Sequence, residues 1–195
     1  IFLLAALLEF VKPTVASRVT ATVAAILFAL AQGFILGRAK GVAAWSAPVL
    51  PPLFVVSGLV AGAGLLLVAL PVVGGQGARL TLGTAGLVVM SAVLWAVYLA
   101  WPGGSALRSA GYPRRRRGWP LRTDHGLLGI FVVGHFLPLL MLALGFSLPA
   151  AAPLATALSG VGILLGQLQS KAWLILRAGT LRPITISSLR FGRAT

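Results

Sequence analysis

The sequence predicts an all-α, multipass transmembrane helix bundle that forms one domain over residues 1–195. Of its residues, 58% are hydrophobic and 9% are charged, whereas soluble domains carry about 25% charged residues. Its mean hydropathy is +1.00. Long apolar runs alternate with short basic clusters. A span in lipid must satisfy its own backbone, as a helix or a closed barrel does, and these runs lack the period-two alternation of strands.

Five apolar runs approach or exceed the roughly 20 residues that a helix needs to cross a bilayer. The predicted spans are 19–37, 49–73, 80–100, 126–146 and 151–176. Residues 1–11 are too short to cross alone and predict the end of a partial first span, so we expect the chain to lack its beginning. Pro51 and Pro52 suit a first helical turn, where the missing N–H costs nothing. Residues 177–195 predict a basic tail.

The charges of the chain are almost all positive. Glu9 and Asp124 are its two acidic residues, against 16 Lys and Arg, and the formal net charge is +14. Because these cations flank apolar runs, we expect membrane lipids and not nucleic acid as their partner. Thirteen of the 16 fall in one alternating set of loops. The positive-inside rule then predicts a cytoplasmic C-terminus.

Two further sequence patterns predict what the protein contacts: a basic run that meets lipid or a partner subunit, and small residues at which helices pack. The run 114–117 (RRRR) either sets topology and holds anionic headgroups or docks an acidic partner subunit. Small residues four apart allow two helix backbones to approach closely. This spacing predicts helix packing at Gly58 and Gly62, near Gly64, and at Gly162 and Gly166.

Ionisable side chains at membrane depth are the natural places to look for chemistry. Glu9 is either a proton carrier or ligand acceptor within the membrane, or an interfacial residue near Lys12. His135, three residues before Pro138, is either hydrogen-bonded to a neighbouring helix or a ligand. Asp124 and His125 open the same span and predict a helix cap.

Several classes of site are excluded for this chain alone. No cysteine is present, so the chain provides no disulfide and no iron–sulfur cluster of its own. His125 and His135 share one helix, about 15 Å apart by its rise, and predict no bis-histidine haem site. The sequence also shows no metal-ligand spacing and no catalytic Ser/His/Asp pattern. We therefore expect a non-catalytic subunit with no metal.

Five segments in order resemble the membrane subunits of the NrfD/PsrC family, the polysulfide reductase-like anchors to which the DmsC type is related. They are 33–37 (GFILG), 45–48 (WSAP), 50–54 (LPPLF), 134–138 (GHFLP) and 176–183 (LRAGTLRP). The resemblance covers most of 31–185 and implies the C-terminal portion of such a subunit. Family members often carry a carboxylate in the helix equivalent to 80–100, and this chain has none there, which argues against proton translocation.

The resemblance implies an electron-transfer anchor in a bacterial inner (cytoplasmic) membrane. Such subunits hold a molybdopterin catalytic subunit and a ferredoxin-like iron–sulfur subunit, and exchange electrons with a quinone or quinol, here menaquinone or ubiquinone. A quinone headgroup needs hydrogen-bonding groups beside an apolar slot. The polar groups near the signature predict quinone contacts at Trp45, His135, Glu9, Arg38 and Lys40. Two alternatives remain open, a small multipass transporter and a purely structural scaffold subunit.

Overall fold

The computed structural model describes residues 13–39, 42–71, 77–102 and 129–177, together with residues 4, 7, 11 and 104. Within these residues the chain is helical and has no strand. Five helical segments there are long and apolar enough to cross a membrane. The predicted partial span 1–11, the 114–117 run, Asp124, His125 and the tail beyond residue 177 lie outside the described residues, apart from positions 4, 7 and 11.

The first two spanning helices begin at positions that their sequences specify. Helix α1 is Val15–Arg38, and Thr14 caps it, since its hydroxyl accepts from the Ser17 N–H while the Ser17 hydroxyl accepts from the Thr14 N–H. Helix α2 is Leu50–Ala69, with prolines in its first turn as predicted. It ends earlier than the predicted residue 73, because Pro71 cannot donate the next helical hydrogen bond.

Each of the remaining three spans includes or borders a short stretch that is not regular α-helix. Helix α3 is Ala78–Ala100, and Trp101 leaves it with an extended backbone before Pro102. The fourth span, Gly129–Ser147, starts as a π-helical segment, Gly129–Phe136, and continues as α4, Leu137–Ser147. Helix α5, Ala152–Ala172, continues into a second π-helical segment, Trp173–Arg177. The five predicted complete spans are thus confirmed, with shifted ends.

The last four spans form an antiparallel up-and-down ring. Helix α2 packs on α3 and on α5, and α5 packs on the fourth span. The fourth span and α3 close the ring with sparser contacts, and α1 lies against the outside of α2. An up-and-down order of antiparallel neighbours is a usual arrangement of helix bundles.

Glycines set the closest approaches between helices. A Cβ added at Gly160 would lie 2.6 Å from the Gly64 carbonyl oxygen, and one added at Gly166 would lie 2.0 Å from Gly134 Cα. At Gly162 it would lie 3.2 Å from Pro138 Cγ. Helix α5 therefore contacts α2 on one side and the fourth span on the other, with almost no side chain between the backbones.

Within the described residues, Gly58 and Gly62 pack against no other helix, so a packing role for them stays a prediction. Both are exposed, and an added Cβ at either would meet nothing within 4 Å. The reason is their position on the helix: Gly64 lies on the side of α2 that faces α5, whereas Gly58 and Gly62 face outwards. Four-residue spacing identifies a smooth helix face but does not say what covers it.

The glycine contacts predict opposite effects for two sets of alanine substitutions. Gly160→Ala and Gly166→Ala place a methyl group against a neighbouring backbone, and we expect each to lower the free energy of unfolding by about 1–3 kcal/mol. Gly58→Ala and Gly62→Ala are the matched controls. They should be neutral, or stabilising by about 0.5–1 kcal/mol, because alanine favours the helix. Thermal unfolding of the four variants in one detergent measures this; equal losses in both sets would contradict the packing.

Candidate functional site

His135 is buried in the fourth span and bonds through both ring nitrogens. Its Nδ1 lies 2.6 Å from the Ile130 carbonyl oxygen, and its Nε2 lies 3.0 Å from Ser91 Oγ on α3. A carbonyl oxygen only accepts, so Nδ1 carries the proton and donates. In the neutral ring Nε2 then accepts from the Ser91 hydroxyl. Of its two predicted roles, His135 thus takes the hydrogen bond to a neighbouring helix in this structure.

Ser91 belongs to a buried face of α3 that includes several polar side chains. Thr81, Thr84, Ser91, Trp95 and Tyr98 recur three, four or seven residues apart, so they share one side of the helix. The threonine hydroxyls donate to carbonyls of their own helix, Thr81 to Gly77 and Thr84 to Leu80. Ser91 instead bonds across to the fourth span. It therefore joins the two helices of the ring that pack most sparsely.

Gln167 on α5 lies at a similar depth to His135. The reason is the contact between Gly166 and Gly134, which brings the residues directly after them to one level of the bundle. Gln167 is 3% exposed, and its Oε1 accepts a hydrogen bond from Ser57 on α2. Four helices of the ring thus contribute polar groups here. We call His135, Ser91, Trp95, Gln167 and Ser57 the polar layer.

Two donors of the polar layer have no acceptor within the described residues. They are the indole Nε1–H of Trp95 and the amide Nε2 of Gln167, both fully buried. Trp95 follows Ser91 by one helical turn, and its ring makes an edge-to-face contact with Tyr98 at 5.5 Å. A buried donor without an acceptor loses the free energy of its hydration. The polar layer is therefore suited to a molecule that brings hydrogen-bond acceptors.

Trp45 lies in the connection between α1 and α2 and bonds to the segment that follows α5. It lies in the short 3-10 helix Ala43–Trp45, and its indole N–H donates to the Leu174 carbonyl at 3.2 Å. The Tyr98 hydroxyl donates to the neighbouring Ala44 carbonyl at 2.9 Å. Together these bonds tie the connection between α1 and α2 to α3 and to the end of α5. The Trp45 donor is committed to the backbone, which is a structural role.

Trp45 and Arg38, the other predicted quinone contacts that the structure describes, do not belong to the polar layer. Arg38 is exposed in the last turn of α1, while Glu9 and Lys40 lie outside the described residues. Trp45 and His135 are linked through Ile130, whose side chain belongs to the apolar cluster against which Trp45 packs and whose carbonyl binds the His135 ring. Of the three predicted contacts within the described residues, His135 is the one that belongs to the polar layer.

Ser57, Ser91, Trp95 and Gln167 are not among the predicted site residues, because none of them is ionisable at membrane depth. A weaker signal was available, namely uncharged polar residues recurring on one face of an apolar run. Within the described residues no three His, Cys, Asp or Glu side chains come together as metal ligands. The polar layer is built from neutral donors and acceptors around one imidazole.

Comparisons with known proteins do not identify a family: no family model, no curated protein and no solved structure matches the chain. The spanning helices and the polar layer are therefore the observations from which a function has to be argued.

The bond between Ser91 and His135 predicts a measurable coupling between α3 and the fourth span. In a double-mutant cycle of Ser91→Ala and His135→Leu, we expect a coupling of about 0.6 kcal/mol and at most about 1.7 kcal/mol, the range for such bonds in membranes. The matched control is Thr84→Ala with His135→Leu, because the Thr84 hydroxyl bonds within its own helix. Denaturant unfolding in mixed micelles measures both cycles, and equal couplings would refute the cross-helix bond.

Proposed function

We propose that the chain is a membrane anchor and quinone-interacting electron-transfer subunit of a multi-subunit respiratory oxidoreductase. The observation that carries the proposal is the polar layer, which combines a buried histidine with two buried donors that have no acceptor among the described residues. The spanning helices support the anchoring role. The resemblance of 45–54 and 134–138 to NrfD/PsrC subunits points the same way, since 134–138 includes His135 and 45–54 lies beside the connected apolar cluster.

A quinone suits these donors because its two carbonyl oxygens accept hydrogen bonds and its ring and tail are apolar. The Trp95 indole and the Gln167 amide supply N–H groups on two helices of the ring. Reduction of a quinone to a quinol consumes two electrons and two protons. His135 is the ionisable side chain of the polar layer, and its exchange of Nε2 between accepting and donating would let it pass a proton to a bound oxygen.

The electrons must come from or go to partner subunits, because a chain without cysteine offers no thiolate cluster of its own. An iron–sulfur subunit and a molybdopterin catalytic subunit are the partners that the resemblance implies. The excess of basic residues in one set of loops supports a cytoplasmic C-terminus in a bacterial inner membrane. The same basic loops suit anionic lipids or an acidic face of a partner.

A purely structural scaffold subunit is the second candidate. The glycine contacts of α5 favour it, because close backbone approaches stabilise a bundle without any ligand. The two candidates differ in whether a quinone binds at the polar layer, and they share the requirement for partner subunits.

Gentle extraction of the complex through this chain tests the anchoring role. We expect subunits that carry iron–sulfur clusters and molybdenum to purify with it, and mass spectrometry together with iron and molybdenum analysis measures this. The control is the same extraction from cells that lack the tagged chain. A chain that purifies alone, stable and metal-free, would contradict both the anchor and the scaffold and favour a small transporter.

The polar layer predicts that Trp95→Phe weakens quinone binding by about fivefold, since it removes one hydrogen bond of about 1 kcal/mol and keeps the aromatic packing. The matched control is Trp101→Phe at the exposed end of α3, which should leave the affinity unchanged. Binding of an oxidised short-chain quinone to the purified complex in nanodiscs measures both variants. Equal affinities of the two variants would remove Trp95 from the site and favour the scaffold.

A further inference from the structure

A second site lies at the end of the ring opposite Trp45, where α2 and α4 end and α3 and α5 begin. A cleft of about 420 Å³ opens there among the four helix ends. This volume falls in the range of about 300–1,000 Å³ typical of small-molecule sites. The cleft residue nearest to Ser91 along α3 is Thr81, ten residues before it. On α4 the cleft residue Leu142 lies seven residues after His135. At the helical rise these separations are about 10–15 Å, so the cleft is distinct from the polar layer.

The walls of the cleft are apolar and partly flat. Proline rings at Pro71, Pro149 and Pro153 line it, and Phe146 contributes an aromatic ring that is half exposed. Gly145 lines it without a side chain. Flat apolar walls with one accessible ring favour a planar ring as ligand, because offset or edge-to-face ring contacts add to the burial of apolar area.

Two hydroxyl groups give the cleft its hydrogen-bonding character. The Thr81 hydroxyl on α3 donates to the Gly77 carbonyl at 3.0 Å. The Thr156 hydroxyl on α5 donates to the Ala152 carbonyl at 2.8 Å and contacts the Pro153 carbonyl at 3.0 Å. A hydroxyl has a single proton, so both side chains meet a ligand with free lone pairs and act as acceptors. The matching ligand is a hydrogen-bond donor.

The charge around the cleft excludes a cationic donor. Arg79 lies in the first turn of α3 directly beside the cleft residues, and no acidic residue lies in that turn. The N-terminal ends of α3 and α5 at this end of the ring also carry partial positive charge. An ammonium headgroup is therefore repelled, whereas a neutral hydroxyl is not.

We propose that this cleft binds the headgroup of a neutral, hydroxyl-donating ring amphiphile, a hydroquinone. Its two phenolic O–H groups point to Thr81 and Thr156 on opposite walls, and its ring lies against Phe146 and the prolines. The choice of a hydroquinone among hydroxyl donors rests on the proposed function; the donor chemistry rests on the cleft alone. The two sites then prefer different redox forms: the N–H donors of the polar layer bind the carbonyl oxygens of the quinone, and the hydroxyl acceptors of the cleft bind the O–H groups of the hydroquinone.

Binding of one-isoprenoid ubiquinol and ubiquinone to the purified complex in phosphatidylcholine nanodiscs, under anaerobic conditions, tests the proposal. The measurement uses a Trp95→Phe background, which weakens quinone binding at the polar layer and so reduces its share of the signal. We expect the quinol to bind roughly tenfold more tightly than the quinone, as two hydrogen bonds allow. Thr81→Val with Thr156→Val should abolish that preference. Equal binding of the two redox forms in the background variant would overturn the proposal.

The matched control is Thr84→Val, which removes a similar intrahelical hydroxyl one turn further along α3, outside the cleft. It should keep the preference for quinol, and a loss equal to that of the double variant would overturn the site. Diacylglycerol serves as the competing source of hydroxyl donors. Displacement of the quinol by an equal concentration of diacylglycerol would overturn the choice of a ring headgroup. Purification of the metal-bearing partners is unaffected by these outcomes, so failure here is distinguishable from failure of the proposed function.

Discussion

Helix α5 makes close backbone contacts with two neighbouring helices, and the relative depth of Gln167 and His135 depends on them. Gly160 lets α5 approach α2, and Gly166 lets it approach the fourth span at Gly134. With larger residues at these positions the helices would separate, because an added Cβ meets backbone and not a movable side chain. The contacts also fix register along the helix axes. Gln167 and His135 lie at one depth because the glycines before them touch.

The hydrogen bonds between helices also depend on close approaches between their backbones. In lipid a polar side chain must find its partner inside the protein. The hydroxyls of Thr81 and Thr84 donate to carbonyls of their own helix, whereas those of Ser91 and Ser57 bond to neighbouring helices. Cross-helix bonds require short distances between axes, which small residues provide. The donors of Trp95 and Gln167 that lack acceptors among the described residues stand out against this pattern. They are the physical reason for placing a carbonyl-bearing ligand at this level.

The two ends of the ring differ in construction. At the Trp45 end, aromatic residues and two side chain to backbone bonds seal the bundle: Trp45 to Leu174 and Tyr98 to Ala44. At the other end, three prolines line a cleft in which the hydroxyls of Thr81 and Thr156 donate to carbonyls of their own helices. Between these two ends, α3 and the fourth span pack sparsely, and the hydrogen bond between Ser91 and His135 joins them.

The sequence by itself determined the fold class, the five spans and the approximate positions of their ends, because hydropathy and helix breakers act locally along the chain. It also singled out His135. Only the tertiary structure decided which faces of the helices meet. Gly58 and Gly62 have the spacing of a packing face and yet point outwards, while Gly64 and Gly160 make the contact. Ser57, Ser91, His135 and Gln167 lie on four different helices and become hydrogen-bonded pairs only through the tertiary packing. Such neighbours depend on long-range packing, which periodicity in one segment cannot encode.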